Sequence, residues 1–102
     1  MTRPRLAVVI VSWNVRDLVV ECLHSVFDDL ARTPVVGEVW VVDNASTDGT
    51  PEAIRAAFPT ERCPALHLLE PGANLGFAAG NNFALRALGF PDGAGAPDYA
   101  LL

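Results

Sequence analysis

The sequence predicts an α/β fold in which a parallel sheet carries helices on both faces. Two runs of β-prone apolar residues, 6–11 and 39–42, have no helical spacing and are typical of strands buried on both faces. Each run ends abruptly in polar residues and is followed by a stretch of helical character. With a third such unit further along, the order becomes β-α-β-α-β-α, which is typical of parallel sheets covered by helices.

The first half of the chain contains two predicted strands and the helix between them. Residues 6–11 form the first strand, and Asn14 is expected to cap the helix that follows. That helix is predicted over Arg16–Ala31, because apolar residues recur there at steps of three and four: Leu18, Val19, Cys22, Leu23, Val26, Phe27 and Leu30. Residues 33–34 are expected to end it, and Gly37 to mark the turn into the second strand.

The second half repeats the alternation. Thr50 is expected to cap a short helix that has Pro51 at its first position and is closed by Pro59. Leu66–Leu69 forms a third strand, and residues 77–88 form a third helix after a glycine-bearing turn. Residues 89–97 are predicted to form a loop that leads into a fourth strand over 98–102. Because the sequence stops inside that apolar strand, it is interpreted as the N-terminal part of a longer domain.

Composition argues against several classes of protein. The net charge is −5, lysine is absent and the seven arginines are scattered, which argues against a nucleic-acid surface. No apolar run has the length of a membrane span or the character of a secretory signal. Cys22 and Cys63 lack metal-binding spacing, so we expect two reduced, mostly buried thiols in a cytoplasmic protein.

Polar residues at the carboxyl edge of the predicted sheet form the candidate functional site, because ligands of open α/β sheets bind there. Asp43 and Asn44 follow the second strand directly. A carboxylate beside an amide can pair with the N–H and carbonyl groups of a pyrimidine ring. Such residues are also common in strand-to-helix loops. We interpret Asp43 and Asn44 as functional, and Ser46, Asp48 and Gly49 as structural.

Two further stretches reach the same edge. The indole of Trp13 can stack on a base or pack the first helix against the sheet, and the sequence leaves both interpretations open. In residues 74–82, Gly76 and Gly80 allow close approach of a ligand at a helix start whose free N–H groups suit a phosphate. The alternative is that they serve a turn and close helix packing. Their spacing is not the dinucleotide fingerprint, which weighs against NAD.

Three motifs, in this order, resemble the family 2 glycosyltransferases of GT-A fold. They are VVIVSWN at residues 8–14, VVDNASTDGT at 41–50 and NLGFAAGNN at 74–82. The combination of Asp-Asn-Ala-Ser with Asn-x-Gly-Phe is most similar to the bacterial branch that includes rhamnosyltransferases. Many members of the family have two acids where this chain has Asp43 and Asn44, and an arginine in place of Asn81.

The resemblance implies an inverting enzyme of polysaccharide biosynthesis with a Rossmann-like sheet. It would move a sugar from a UDP- or dTDP-linked donor to a saccharide or lipid-linked acceptor. Trp13 would lie against the pyrimidine, and Asp43 and Asn44 would hold its polar edge. The implied nucleotide-sugar site consists of Val11, Ser12, Trp13, Asn14, Asp43, Asn44, Asn74, Gly76, Gly80 and Asn81.

The resemblance also implies parts that residues 1–102 do not contain. A divalent cation, Mg²⁺ or Mn²⁺, would be bound by an Asp-x-Asp-like motif beyond the fourth strand, and the catalytic base would lie further on. Residues 1–102 would then form the nucleotide-sugar-binding portion of an incomplete GT-A domain, inactive alone, in the cytoplasm or at the inner face of the membrane. The alternatives are a non-catalytic remnant or interaction fragment and, less favoured, a sugar nucleotidyltransferase, which needs a glycine-rich basic loop after its first strand.

Overall fold

A computed structural model describes residues 3–90, 93 and 95–102. In this part of the chain, strands and helices alternate as predicted. Their bounds are β1 (Arg5–Ser12), α1 (Arg16–Ala31), β2 (Val36–Asp43), α2 (Thr50–Ala57), β3 (Leu66–Leu69), α3 (Gly76–Leu88) and β4 (Tyr99–Leu101). The loop predicted over 89–97 falls partly outside the described residues, at positions 91, 92 and 94.

The four strands of the described chain form one parallel sheet in the order β3-β2-β1-β4. β1 and β2 pair along their whole length, from Arg5 opposite Val36 to Ser12 opposite Asp43. β4 pairs only with the first half of β1, where Val8 lies opposite Leu101. Since all strands run the same way, the polar residues after β1, β2 and β3 meet at one edge of the sheet.

Helices cover both faces of the sheet, which confirms the predicted fold class. Successive side chains of a strand point to opposite faces, so a strand covered on both sides must be apolar throughout. One face packs against α1 and α2 through buried residues of both layers: Val8, Val19, Leu23, Val39, Val41 and Ile54. The other face packs against α3: Ala7, Val9, Val42, Ala84 and Leu88.

The start of α1 differs from the prediction. Val15, and not Asn14, occupies the N-cap position, and it makes no side-chain capping bond. Asn14 has a φ of 50°, in the left-handed region, and this turn carries its side chain away from the helix. Its Oδ1 accepts a hydrogen bond from the backbone N–H of Thr47, 2.8 Å away, in the loop after β2. The expected cap of α1 is therefore a link between two loops.

The buried stripe of α1 is narrower than the periodicity predicts. Val19 and Leu23 are its buried residues, whereas Leu18 is 67% exposed. Cys22 is also exposed, and Cys63 is half-buried; both are free thiols. The expectation of two mostly buried thiols is therefore wrong for Cys22. Cys22 and Leu18 line an open groove between α1 and the end of β1.

Gly37 lies inside β2 rather than in the turn before it, because the strand already begins at Val36. A Cβ atom at Gly37 would meet the Leu30 side chain of α1 at 2.8 Å. Real Cβ atoms do not approach a neighbouring atom so closely, so the absence of a side chain at Gly37 lets Leu30 of α1 pack against β2. The prediction that Gly37 marks the turn is therefore wrong, because a glycine inside a strand can instead permit the close approach of a neighbouring element.

The start of α2 is displaced by one residue from the prediction. Gly49, with a φ of 82°, holds the N-cap position, and Thr50 is the first helical residue. Capping is provided from further upstream, because Asp48 Oδ1 accepts a hydrogen bond from the backbone N–H of Thr50 at 3.1 Å. The structural roles predicted for Asp48 and Gly49 are confirmed.

Gly80 brings α3 close to β1. A Cβ atom here would lie 3.0 and 3.2 Å from the two methyl groups of Val11 and 3.4 Å from the Asn44 amide nitrogen. We expect Gly80→Val to lower the free energy of unfolding by about 1–3 kcal/mol through overpacking. In Gly80→Ala, the gain in helix propensity, about 1 kcal/mol, opposes the crowding.

Urea unfolding of both variants measures this effect, with Gly80→Ala/Val11→Ala as the control. Removing the Val11 methyl groups opens the space that the new Cβ needs, so the double variant should be more stable than the sum of the two single changes predicts. Wild-type stability of Gly80→Val would show that α3 does not depend on this close approach.

Candidate functional site

Asp43 ends β2 with its carboxylate enclosed by hydroxyl and amide groups, and the residue is 2% exposed. Its Oδ1 accepts hydrogen bonds from the hydroxyls of Ser46 at 2.6 Å and Ser12 at 3.3 Å. Its Oδ2 accepts a bond from the backbone N–H of Ser46 at 2.9 Å. The carboxylate therefore fastens the end of β1 and the loop after β2 to one point.

Asn14 and Ser46 join the loop after β1 to the loop after β2. The backbone N–H of Asn14 donates to Ser46 Oγ at 2.9 Å, and the N–H of Thr47 donates to Asn14 Oδ1 at 2.8 Å. Asn14 and Ala45 have positive φ angles of 50° and 59°. Non-glycine residues persist in this region only where the surroundings determine their conformation. The reciprocal bonds provide that constraint.

Asp48 fixes the starts of two helices. Its Oδ2 accepts from the backbone N–H of Arg16 at 3.1 Å, and its Oδ1 accepts from both the backbone N–H and the hydroxyl of Thr50. The hydroxyl of Thr50, assisted by these backbone bonds, holds the pKa of the Asp48 carboxyl below its ordinary value. These contacts support the sequence interpretation of Asp48 as a structural residue.

Asn44 connects the third loop, between β3 and α3, to the same edge. It is 2% exposed, and its amide donates to the carbonyl of Gly76 at 3.1 Å while its Oδ1 accepts from the N–H of Leu75 at 3.4 Å. Gly76 has a φ of 81°, which glycine adopts without strain. Asn74 completes the turn, because its Oδ1 accepts from the N–H of Gly76 at 2.9 Å.

The predicted site residues differ in exposure. Trp13 is 54% exposed, so a large part of the indole faces away from the protein. Asn74 is exposed, Val11 is half-buried under Gly80, and Asn81 is buried on α3. Within the described residues, the hydrogen bonds that connect the three loops do not include Asn81. The loops are joined by hydrogen bonds of Ser12, Asn14, Asp43, Asn44 and Gly76.

Phe77 also lies at this edge; it belongs to the 74–82 motif but was not among the individual residues predicted for the site. It follows the turn at Gly76 and is 72% exposed, which is unusual for a phenylalanine in a helix of this apolar content. A helical period places Phe77 on the same face as the buried Gly80, Ala84 and Leu88. Its exposure therefore comes from its position in the first turn of the helix, and the periodicity of the sequence gives no signal for it.

The described residues provide neither a clustered metal site nor a helix that spans a membrane. Among them, no three or more His, Cys, Asp or Glu residues cluster as a metal site requires. The described residues therefore lack the ligand set that a divalent cation needs. None of the helices in the described ranges is both long and apolar enough to cross a bilayer.

Residues 7–88 match the family described as Glycosyl transferase family 2. The match covers most of the chain and includes every predicted site residue from Val11 to Asn81. This chain belongs to glycosyltransferase family 2. The likeness of the three motifs to that family is confirmed.

A solved structure shows the same relationship. The chain superimposes on the mannosyltransferase PcManGT from Pyrobaculum calidifontis, in complex with GDP-Man and Mn²⁺, with a TM-score of 0.69 and 38% sequence identity. The match covers 83% of this chain and 24% of the mannosyltransferase, so the chain spans about a quarter of that protein's length. The predicted fold, the N-terminal part of a GT-A glycosyltransferase, is confirmed. No curated protein matches the chain.

Proposed function

We propose that this chain supplies the nucleotide-sugar-binding portion of an inverting glycosyltransferase. The observation that supports this most directly is the convergence of three family motifs on one sheet edge, where interlocked loops leave the indole of Trp13 exposed. The proposed donor is a UDP- or dTDP-linked sugar, and the acceptor is a saccharide or a lipid-linked saccharide. The rhamnosyltransferase branch stays a prediction.

Trp13 is proposed to stack on the base of the donor. Its exposure leaves an aromatic face free, and stacking of a base on an aromatic side chain contributes about 1–3 kcal/mol. Such stacking does not require a particular base, since every base has a π-face. Trp13 would therefore provide affinity, and discrimination between bases would come from polar groups.

Asp43 and Asn44 are proposed to hold the polar edge of the base. An ionised carboxylate offers about four acceptor positions, and three donors already occupy Asp43. One position is left for a ring N–H of the base. Because the internal bonds fix the carboxylate before the ligand arrives, binding would cost little conformational entropy.

The start of α3 is proposed to face the diphosphate. The first N–H groups of an α-helix have no partner within the helix, and its N-terminus carries a partial positive charge. In this chain α3 begins at Gly76, at the same sheet edge as Trp13 and Asp43. The exposed Asn74 and the buried Asn81 and Gly80 complete the proposed site around that helix start.

We assign no catalytic or metal-binding residue to this chain, whose proposed part is to bind and orient the donor. A divalent cation, Mg²⁺ or Mn²⁺, is proposed for the complete enzyme, since the matched mannosyltransferase was solved with Mn²⁺. When bound, such an ion would neutralise charge on the departing nucleoside diphosphate. A cytoplasmic location, at the inner face of the membrane for a lipid-linked acceptor, is part of the proposal.

The base of the donor separates two candidates. The matched mannosyltransferase is in complex with GDP-Man, which favours a guanine nucleotide as the second candidate. Calorimetric titration of the protein with UDP, dTDP and GDP, with ADP as a control and with Mn²⁺ present and absent, distinguishes them. We expect UDP or dTDP to bind more tightly than GDP and ADP. Tighter binding of GDP would assign a guanine donor, and absence of binding by every nucleotide would refute the proposed function.

A further inference from the structure

The hydroxyl of Ser46 takes part in two hydrogen bonds of opposite sense. It donates to Asp43 Oδ1 at 2.6 Å and accepts from the backbone N–H of Asn14 at 2.9 Å. An ionised carboxylate can only accept, so Asp43 holds the hydroxyl proton on its own side. A lone pair of Ser46 Oγ is thereby directed at the Asn14 N–H.

This contact fixes the peptide unit on the carboxyl side of Trp13. The amide nitrogen of Asn14 is bonded to the carbonyl carbon of Trp13, and a peptide unit is planar from one Cα to the next. Holding the Asn14 N–H therefore holds the plane that contains the Cα atom of Trp13. The side chain can then vary only through its own torsion angles.

The peptide unit on the amino side of Trp13 is held from the same loop. The backbone N–H of Asn44 donates to the carbonyl of Ser12 at 2.8 Å, and that carbonyl belongs to the peptide that joins Ser12 to Trp13. Both planes that meet at the Cα atom of Trp13 are thus anchored to the loop after β2. The contact on the amino side is made by the backbone N–H of Asn44, which a side-chain substitution does not remove. The contact on the carboxyl side depends on the Ser46 hydroxyl.

The backbone conformation of Asn14 depends in part on its hydrogen bond to Ser46. Asn14 has a φ of 50°, in a sparsely populated region, and two bonds hold it there: its N–H donates to Ser46 Oγ and its Oδ1 accepts from the N–H of Thr47. Without the Ser46 hydroxyl only the Thr47 bond of these two remains, so the peptide next to Trp13 loses its own restraint and the turn gains freedom toward more populated angles. Trp13 would then sample a wider range of directions.

We propose that Ser46 is a positioning residue, which acts through the Trp13–Asn14 peptide to hold the Trp13 indole ready for the donor base. The assignment rests on the proposed function. Ser46 itself need not touch the nucleotide. Its hydroxyl stabilises a binding-competent orientation that the free protein would otherwise populate only in part, and apparent affinity falls with that fraction.

The test uses Ser46→Ala in a Trp40→Phe background, in which Trp13 is the only tryptophan and its fluorescence is observed alone. Trp40 Nε1 has no hydrogen-bond partner in the described structure, so phenylalanine removes no bond there. We expect Ser46→Ala to weaken binding of the preferred nucleoside diphosphate by about five- to tenfold. The steady-state anisotropy of Trp13 should fall in the free protein, and Ser46→Thr, which keeps the hydroxyl, should restore both values.

Ser25→Ala is the matched control, since Ser25 is an exposed serine of α1, and it should leave both values unchanged. Ser46→Ala with parental affinity would overturn the proposal even if its melting temperature fell, because a merely structural serine would behave in that way. Should Ser46→Ala fail to fold, Ser46→Gly replaces it, since glycine also lacks the hydroxyl, and parental affinity in that variant would equally refute the assignment. If the parent binds no nucleotide, the proposed function itself is wrong, and the assignment falls with it.

Discussion

Asp43→Ala is expected to weaken binding of the donor nucleotide by at least about tenfold, the size of one charge-assisted hydrogen bond. It should also lower the free energy of unfolding by about 1–3 kcal/mol, because the buried hydroxyl of Ser12 and the half-buried donors of Ser46 lose their acceptor. Calorimetric titration and urea unfolding measure the two effects separately. In an enzyme preparation that turns over, the defect should lie in donor affinity far more than in the chemical step.

Two variants control the Asp43 experiment. Asp17→Ala removes an exposed carboxylate of α1 and should change neither quantity. Asp43→Asn keeps the size of the side chain but offers only one acceptor oxygen, so it should retain part of the stability and little of the affinity. A pure turnover defect with unchanged donor binding would contradict the role proposed for Asp43.

The framework of the fold could be predicted because burial on both faces leaves a direct trace in sequence. Residues 6–11 and 39–42 are apolar without interruption, and only strands between two helix layers require that. Parallel pairing then follows from the alternation with helices. From these two steps, the meeting of Ser12 and Asp43 at one edge was already determined, and the register confirms it.

The corrections arise where a residue's role depends on a distant part of the chain. Asn14 has the sequence signature of a helix cap, yet its side chain binds Thr47, 33 positions away, because its backbone turns into the left-handed region. Gly37 resembles a turn residue, but the bulk of Leu30 on a neighbouring helix explains it. Neither contact can be predicted from the local preferences of the residues. Both became evident only when the layers were packed together.

For the candidate site, the sequence predicted which loops meet, but it predicted the roles of individual residues in those loops less well. Asp43 and Asn44 were selected for their polarity, and the structure shows both engaged in holding loops together. Ser46, for which the sequence favoured a structural role, links Asp43 to the backbone beside Trp13. Whether Trp13 lies in the core or at the surface could not be predicted from the residues next to it, because its exposure depends on how the helices pack on the sheet.

Trp13→Ala is expected to weaken nucleotide binding by roughly 5- to 150-fold, since it removes stacking of about 1–3 kcal/mol. The free energy of unfolding should change by no more than about 0.5 kcal/mol, because the side chain is largely exposed. Trp13→Phe keeps an aromatic face and should retain part of the affinity. Titration with the preferred nucleoside diphosphate and urea unfolding test the two parts of the prediction.

Trp40→Ala is the matched comparison, since it removes the chain's other tryptophan from a different environment. Trp40 packs against the core that α3 forms with the sheet and stacks on His67 with ring centroids 4.1 Å apart. Its loss should cost stability, on the order of 3 kcal/mol, while a folded fraction binds nucleotide with little change. Loss of affinity in Trp13→Ala and loss of stability in Trp40→Ala would show that Trp13 belongs to the binding edge and Trp40 to the core. Parental affinity in Trp13→Ala would exclude the indole from the site and leave only Asp43 and Asn44 to hold the base.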